Sequence, residues 1–216
     1  MTLGELISRF RREVKDTVKP YFCADEDIIA WLNEAEEEAC RRAFLIVDST
    51  STASQLDIAA GDVGSDLDPL VIFVRRATLQ STHRPLIPAV VRSMDEELPG
   101  WESAQASVPT RFIPDWQTGY LRLYPPSRGA DTIKLTVVRL PARPMVEEDD
   151  EPEIRRQFHA YLLDWAKHRA YNIPDSDFFD AKKSDYHLSV FTQKFGETSA
   201  ISEAWAMEQY YDVGAN

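Results

Sequence analysis

The sequence predicts an α+β protein: a helical bundle formed by N- and C-terminal helices, with an inserted small antiparallel β domain and a C-terminal tail. Three observations predict it. Apolar residues recur at helical spacing near both ends of the chain. Between about residues 48 and 140 the signals change to β-branched runs, period-two alternation and turn residues. An acidic, proline-flanked run (PARPMVEEDDEP) then separates the β stretch from the last helices. The expected segments are N-terminal bundle helices in 1–47, the β-rich domain in 48–140 and an acidic linker in 141–152. C-terminal bundle helices follow in 153–196, and an extension in 197–216. Helices, then strands, then helices is the order of an α+β chain.

The first helix opens with Thr2-Leu3-Gly4-Glu5, a capping-box pattern in which hydroxyl and carboxylate each satisfy a free helix amide. Leu3, Leu6, Ile7, Phe10 and Val14 follow as one apolar stripe. After a loop through Pro20, Tyr21 and Phe22, a second helix is expected from Asp25 to about Leu45. Ile28, Ile29, Leu32, Ala35, Ala39 and Ala43 mark its buried side. Glu34, Glu36, Glu37 and Glu38 mark its wet side.

In the β stretch, Val71 to Leu79 is a β-branched run and Leu86 to Arg92 reads as another. Ser93 to Leu98 fits one helical turn before Pro99-Gly100-Trp101. Arg111 to Trp116 and Tyr120 to Tyr124 read as a hairpin around Gln117-Thr118-Gly119, with Gly119 free to take a left-handed conformation. Pro125 to Gly129 is a second break. Thr132 to Leu140 is the clearest strand, with Ile133, Leu135 and Val137 alternating with Thr132, Lys134 and Thr136. Five or six such strands predict a small antiparallel sandwich or barrel-like sheet.

A third helix is expected from Glu153 to Tyr171, with Ile154, Phe158, Tyr161, Leu162, Trp165 and Ala166 on its apolar side. Asn172-Ile173-Pro174 ends it, because proline disfavours a helical residue before it. A fourth helix is expected from around Asp175-Ser176-Asp177 to Phe195, with Gly196 as its C-terminal cap.

Composition excludes several function classes. The 24 Lys and Arg against 36 Asp and Glu leave a formal net charge of -12, which repels nucleic-acid phosphates at long range. The basic doublets Arg75-Arg76, Arg155-Arg156 and Lys182-Lys183 sit beside acids or apolar residues and read as solvated faces. No apolar run reaches membrane-spanning length, so no membrane contact is expected. The opening MTLGELISRFRREV is amphipathic rather than a signal sequence. Cys23 and Cys40 make no CxxC, and Cys40 is expected as a half-buried free thiol in a protein made in a reducing cytosol.

Catalytic signatures are missing: no phosphate-cradling GxxxxGK[ST], no GxGxxG, no GxSxG and no HExxH occurs. His83, His159, His168 and His187 lack a chelating spacing. Asp57, Asp62, Asp66 and Asp68 offer the oxygen ligands calcium takes, but irregularly and without a terminal bidentate Glu, so a turn-rich surface loop is the better reading. Asp175, Ser176, Asp177 and Asp180 precede a helix and read as caps. Neither a metal nor a cofactor is expected, and the chain is not expected to be an enzyme. The aromatics Trp205, Tyr210 and Tyr211 lie beyond the last capped helix among polar residues, where they suit either anchors for a partner or a tail folded back on its own bundle.

Taken in order, TLGELISRFRREVKD, DEDIIAWLNEAEEEACRRAFLIVD, VPTRFIPDWQTGYLRLYPPS, TIKLTVVRLPARPM, PEIRRQFHAYLLDWAKHRAYNIPDSDFFD and FTQKFG resemble the head-to-tail adaptor (connector) proteins of tailed bacteriophages. The resemblance implies a structural virion protein at the head-to-tail interface, made in the host cytoplasm. It implies a homo-oligomeric ring, typically dodecameric, beneath the portal protein. Such a ring extends the DNA channel, touches the translocating DNA passively and gives tail or nozzle proteins a platform. Residues 197–216 would then dock on the portal through Trp205, Met207, Tyr210 and Tyr211. The alternatives are another virion joining protein, such as a head-completion or tail-terminator factor, or a metal-dependent hydrolase using an acidic loop.

Overall fold

The computed structural model describes residues 1–174 and 178–197. In chain order its elements are α1 (Leu3–Val14), α2 (Asp25–Ala43), β1 (Ile46–Asp48), β2 (Gln55–Ile58), β3 (Gly64–Asp66), β4 (Val71–Leu79), β5 (Ile87–Pro88) and α3 (Val91–Glu97). There follow β6 (Arg111–Gln117), β7 (Tyr120–Tyr124), β8 (Asp131–Arg139), α4 (His159–Tyr171) and α5 (Ala181–Phe195). Five helices and two sheets make the fold α+β. The chain divides into two compact units. Among the described residues, one is formed by Met1–Ile46 together with residues 140–197, the other by Val47–Arg139.

In the helical unit, α1 starts at the capping box: the Thr2 hydroxyl accepts the Glu5 N–H at 3.3 Å, and the Glu5 carboxylate accepts the Thr2 N–H at 3.1 Å. Helix α2 stops at Ala43, two residues short of the expected Leu45. Phe44 turns left-handed there (φ 52°) and returns its N–H to the Cys40 carbonyl. Leu6 and Phe10 of α1, Ile28 and Leu32 of α2, Leu162 and Leu163 of α4, and Phe191 of α5 share one fully buried cluster. Glu36 departs from expectation. It is 2% exposed rather than on the wet side, because its carboxylate accepts the backbone N–H of Ile154 at 3.1 Å. Cys40 is likewise fully buried, not half-buried, and neither cysteine forms a disulfide.

Residues 141–152 lie against these helices. Met145 is buried and exchanges two hydrogen bonds with the Asn33 amide, at 2.8 and 3.0 Å. The carbonyls of Glu148 and Asp150 accept the Gly4 and Leu3 N–H groups. Helix α4 begins at His159 after a 3-10 turn (Arg156–Phe158), not at Glu153. The Ile154 amide is spent on Glu36 and its carbonyl on the His159 ring, so that stretch holds its apolar side chain in the core without helical bonding. Asp180 caps α5 by accepting the Lys183 N–H at 3.1 Å, and Gly196 ends the helix at φ 91°. The expected helix start at Asp175-Ser176-Asp177 falls outside the described residues.

The second unit holds two four-stranded sheets. Strand β8 is the hub of the first, pairing with β1, β2 and β4. Its antiparallel register with β4 runs from Val71↔Arg139 to Leu79↔Ile133. The second sheet has the order β3-β7-β6-β5. The pair β6–β7 is the expected hairpin, and Gly119 takes the left-handed turn position at φ 71°. Leu56, Val74, Leu79, Ile133, Leu135 and Val137 of the first sheet meet Phe112, Leu121 and Leu123 of the second in one core, the arrangement of a sandwich.

Two features depart from a purely antiparallel expectation. The pair β5–β6 is parallel. The run Leu86 to Arg92 supplies only Ile87–Pro88 to the sheet; Ile87 and Ala89 donate to β6, and α3 takes the chain away from Val91. After the Ala89 N–H bonds the Phe112 carbonyl at 3.0 Å, the chain turns at Val90 into α3, which is seven residues long rather than the single turn expected.

Candidate interaction surfaces

Of the acidic groups weighed as metal ligands, the carboxylates of Asp57, Asp62 and Asp68 are held by the fold itself. Asp57 accepts the Thr132 hydroxyl across β2–β8 at 2.7 Å. Asp62 accepts the Ala59 N–H at 2.6 Å and Asp68 the Leu70 N–H at 2.9 Å, both turn contacts. Asp66 pairs across β3–β7 with Tyr120. Asp150 accepts the Val146 and Glu147 amides, which hold its carboxyl below the usual range. Among the described residues no three His, Cys, Asp or Glu side chains converge as a metal site.

The histidines are structural partners. His159 bonds the Ile154 carbonyl at 2.8 Å, His168 the Ser184 hydroxyl at 2.9 Å, and His187 the Asp164 carboxylate at 2.9 Å. Asp164 lies below the usual carboxylate range. Burial pushes it up, but His187 and Lys167 outweigh that. Burial raises the Cys23 thiol to about 11, with the Asp16 charge adding to it, so it is a poor nucleophile.

What the described surface does offer is places to touch another macromolecule. On the helical unit, a groove of about 740 Å³ runs along the start of α1 and is lined by Leu3, Ile7, Arg12, Ile29 and Val146, among others. On the same unit Phe22 (65% exposed) packs on Phe178, with Phe179 and Tyr186 also exposed. On the β unit, Leu121 and Leu123 of β7 face the sandwich core while Tyr120, Arg122 and Tyr124 face the other way. There the Arg122 guanidinium lies 4.0 Å from the Trp116 ring centroid and 4.9 Å from that of Trp101. Trp101 is itself buried, edge-on to Trp116, and fixed by an indole N–H donated to Asp95 at 2.9 Å. Sequence reading did not single out this group. Its members come from a 3-10 turn (Trp101–Ser103) and two strands, and only the alternation of β7 hints that Arg122 leaves the core.

The expected portal anchors Trp205, Met207, Tyr210 and Tyr211 lie outside the described residues.

A family model described as SU10 adaptor protein matches residues 1–212, spanning both units. The chain belongs to the SU10 adaptor protein family. That family comprises phage head-to-tail adaptors, so this chain is a structural adaptor of a phage virion. No curated protein matches the SU10 adaptor chain. Among the described residues no helix of this SU10 adaptor is long and apolar enough to cross a membrane.

Proposed function

We propose that this adaptor works as a homo-oligomeric ring beneath the portal, prolonging the DNA channel and presenting a platform to which tail proteins attach. The observation that carries the reading is the family match, which runs from residue 1 to residue 212 and so takes in the tail as well as both units. Two further features support it. The net charge of -12 suits a channel wall on which DNA slides without adhering, because each lysine–phosphate contact would hold it back. The acidic loops are spent on turns and strand pairing, which favours a scaffolding role over catalysis.

In this reading the segment 197–216 is the portal-docking arm, and Trp205, Met207, Tyr210 and Tyr211 are its anchors. Aromatic side chains suit that work because they bury large area at low entropic cost. Binding to the portal orders the subunits, and the closed ring then seals the exit channel. A ring contact is heterologous, so one face of each copy complements a different face of the next.

The test is native mass spectrometry of the purified chain, alone and mixed with the portal protein of the same phage. A ring of about twelve copies, alone or on the portal, is the expected result. A chain that stays monomeric and ignores the portal would overturn the reading.

A further inference from the structure

We propose that Arg122, seated against the corner formed by the Trp101 and Trp116 rings, is a preformed arginine anchor that takes a carboxylate from a second copy of this chain. The inference rests on the ring reading and names one contact of its subunit interface.

Three observations carry it. First, the guanidinium is held in place. It stacks 4.0 Å from the Trp116 centroid and 4.9 Å from the Trp101 centroid, and Trp101 is locked by Asp95. Stacked arginine has surrendered most of its rotamer freedom before any partner arrives. Second, the charge is unspent. Among the described residues no ion pair or hydrogen bond engages the Arg122 side chain, and its Nε is buried without a partner. The two Nη atoms are therefore the ones left to solvent. Arg111, on the neighbouring strand β6, shows the contrast, for its Nη1 donates to Glu97 at 2.7 Å. Third, the residue types are those that dominate interface energies: arginine and tryptophan together, at a half-buried position with an apolar floor of Ile113, Met94 and Ala89.

The chemistry chooses the partner. Two free Nη donors in one plane match the two oxygens of a carboxylate. Nucleic-acid backbones are held by several cations together, whereas the residue paired across β3–β7 with Tyr120, on the face Arg122 shares, is the acid Asp66. A second copy presents carboxylates in excess, with 36 acids to 24 bases. A heterologous ring interface sets that acidic excess against this anchor once per subunit.

The test compares full-length wild type with Arg122→Ala and Arg122→Lys, reading assembly by native mass spectrometry and folding by thermal melting. Lysine keeps the charge and loses the planar fork, so it separates recognition from net charge and covers the case in which the alanine variant misfolds. The expected result is at least a tenfold rise in the concentration needed for assembly in both variants, with melting of the lysine variant unchanged. Assembly of either folded variant at wild-type concentration overturns the anchor while leaving the ring reading intact. A wild type that never self-associates, alone or with portal, overturns both. Labelled duplex DNA forms a separate arm: loss of DNA binding in the variants, with assembly preserved, assigns Arg122 to phosphate and overturns the carboxylate claim.

Discussion

Glu36 and Ile154 stand 118 residues apart in the chain, and the carboxylate of one accepts the backbone N–H of the other at 3.1 Å in the core of the helical unit. Burial raises the Glu36 carboxyl from 4.5 to about 7; the amides of Ile154 and Glu153 pull the other way, and the charges of Glu153 and Glu37 add to the rise. A group raised above its unfolded value favours the folded state most when protonated. The stability it contributes is complete below pH 4.5 and is lost as pH climbs through about 7. A rise of this size corresponds to about 3 kcal/mol between the two protonation states. Wild type is therefore expected to lose stability between pH 5 and pH 8, and Glu36→Gln to lose less over the same range. Equal slopes in urea unfolding for the two proteins would show that Glu36 does not titrate there.

Arg11 is expected to be the most costly polar residue of the helical unit to replace. Its Nη1 donates to Asp16 at 2.7 Å, and its Nη2 donates to the Cys23 carbonyl and to Asp25 at 3.0 and 2.6 Å. Asp16, 1% exposed, also accepts the amides of Phe22 and Cys23. Arg11→Met leaves Asp16 buried without its cation, at a cost of about 3–5 kcal/mol. Arg11→Lys recovers little, because a single ammonium cannot span those three acceptors. Chemical denaturation of both variants checks this, and a loss below about 1 kcal/mol would contradict it.

Gly64→Ala is expected to release β3 from β7. A Cβ at Gly64 would be driven into the Leu121 carbonyl oxygen and would sit 2.9 Å from the Arg122 Cα, against backbone that cannot swing aside. Its φ of 156° adds strain for any side chain. Hydrogen exchange at Leu123, whose N–H bonds the Val63 carbonyl at 2.8 Å, should quicken at least tenfold. Unchanged protection would mean that the strand shifts without loss.

Deleting residues 197–216 is expected to leave a folded chain that no longer joins the portal. Among the described residues, the cluster that holds the helical unit is closed by Phe191 and Phe195 of α5. Circular dichroism melting and portal pull-down read the two outcomes separately. A truncated chain that unfolds would place the segment in the core.

Legibility in the sequence followed the range of the interactions. The Thr2–Glu5 capping box and the Gly119 turn were readable because the deciding contacts are local, and the Val71–Leu79 strand because its β-branched run marks it before any pairing. Glu36 misled because its partner lies beyond the whole β stretch, and a glutamate among glutamates reads as wet until that partner is known. The β5 to α3 segment misled because a short apolar run reads equally as strand or helix, and Val90 caps α3 without a side-chain hydrogen bond that would mark the start. The Trp101, Trp116 and Arg122 group had no spacing to betray it, since turn and strands converge only after the sheet has formed.

The order of the helices along the chain also sets a schedule. Helices α1 and α2 are complete by Ala43, yet α4 and α5, which cover Leu6, Phe10, Ile28 and Leu32, begin only at His159 and Ala181. During synthesis α1 and α2 have only each other until residues 159–195 are made and complete their cover. A product cut short anywhere before α4 leaves them without that cover, so an unfinished copy cannot present a folded helical unit to an assembling particle. The late arrival of these two helices thus acts as a check that synthesis has passed α5.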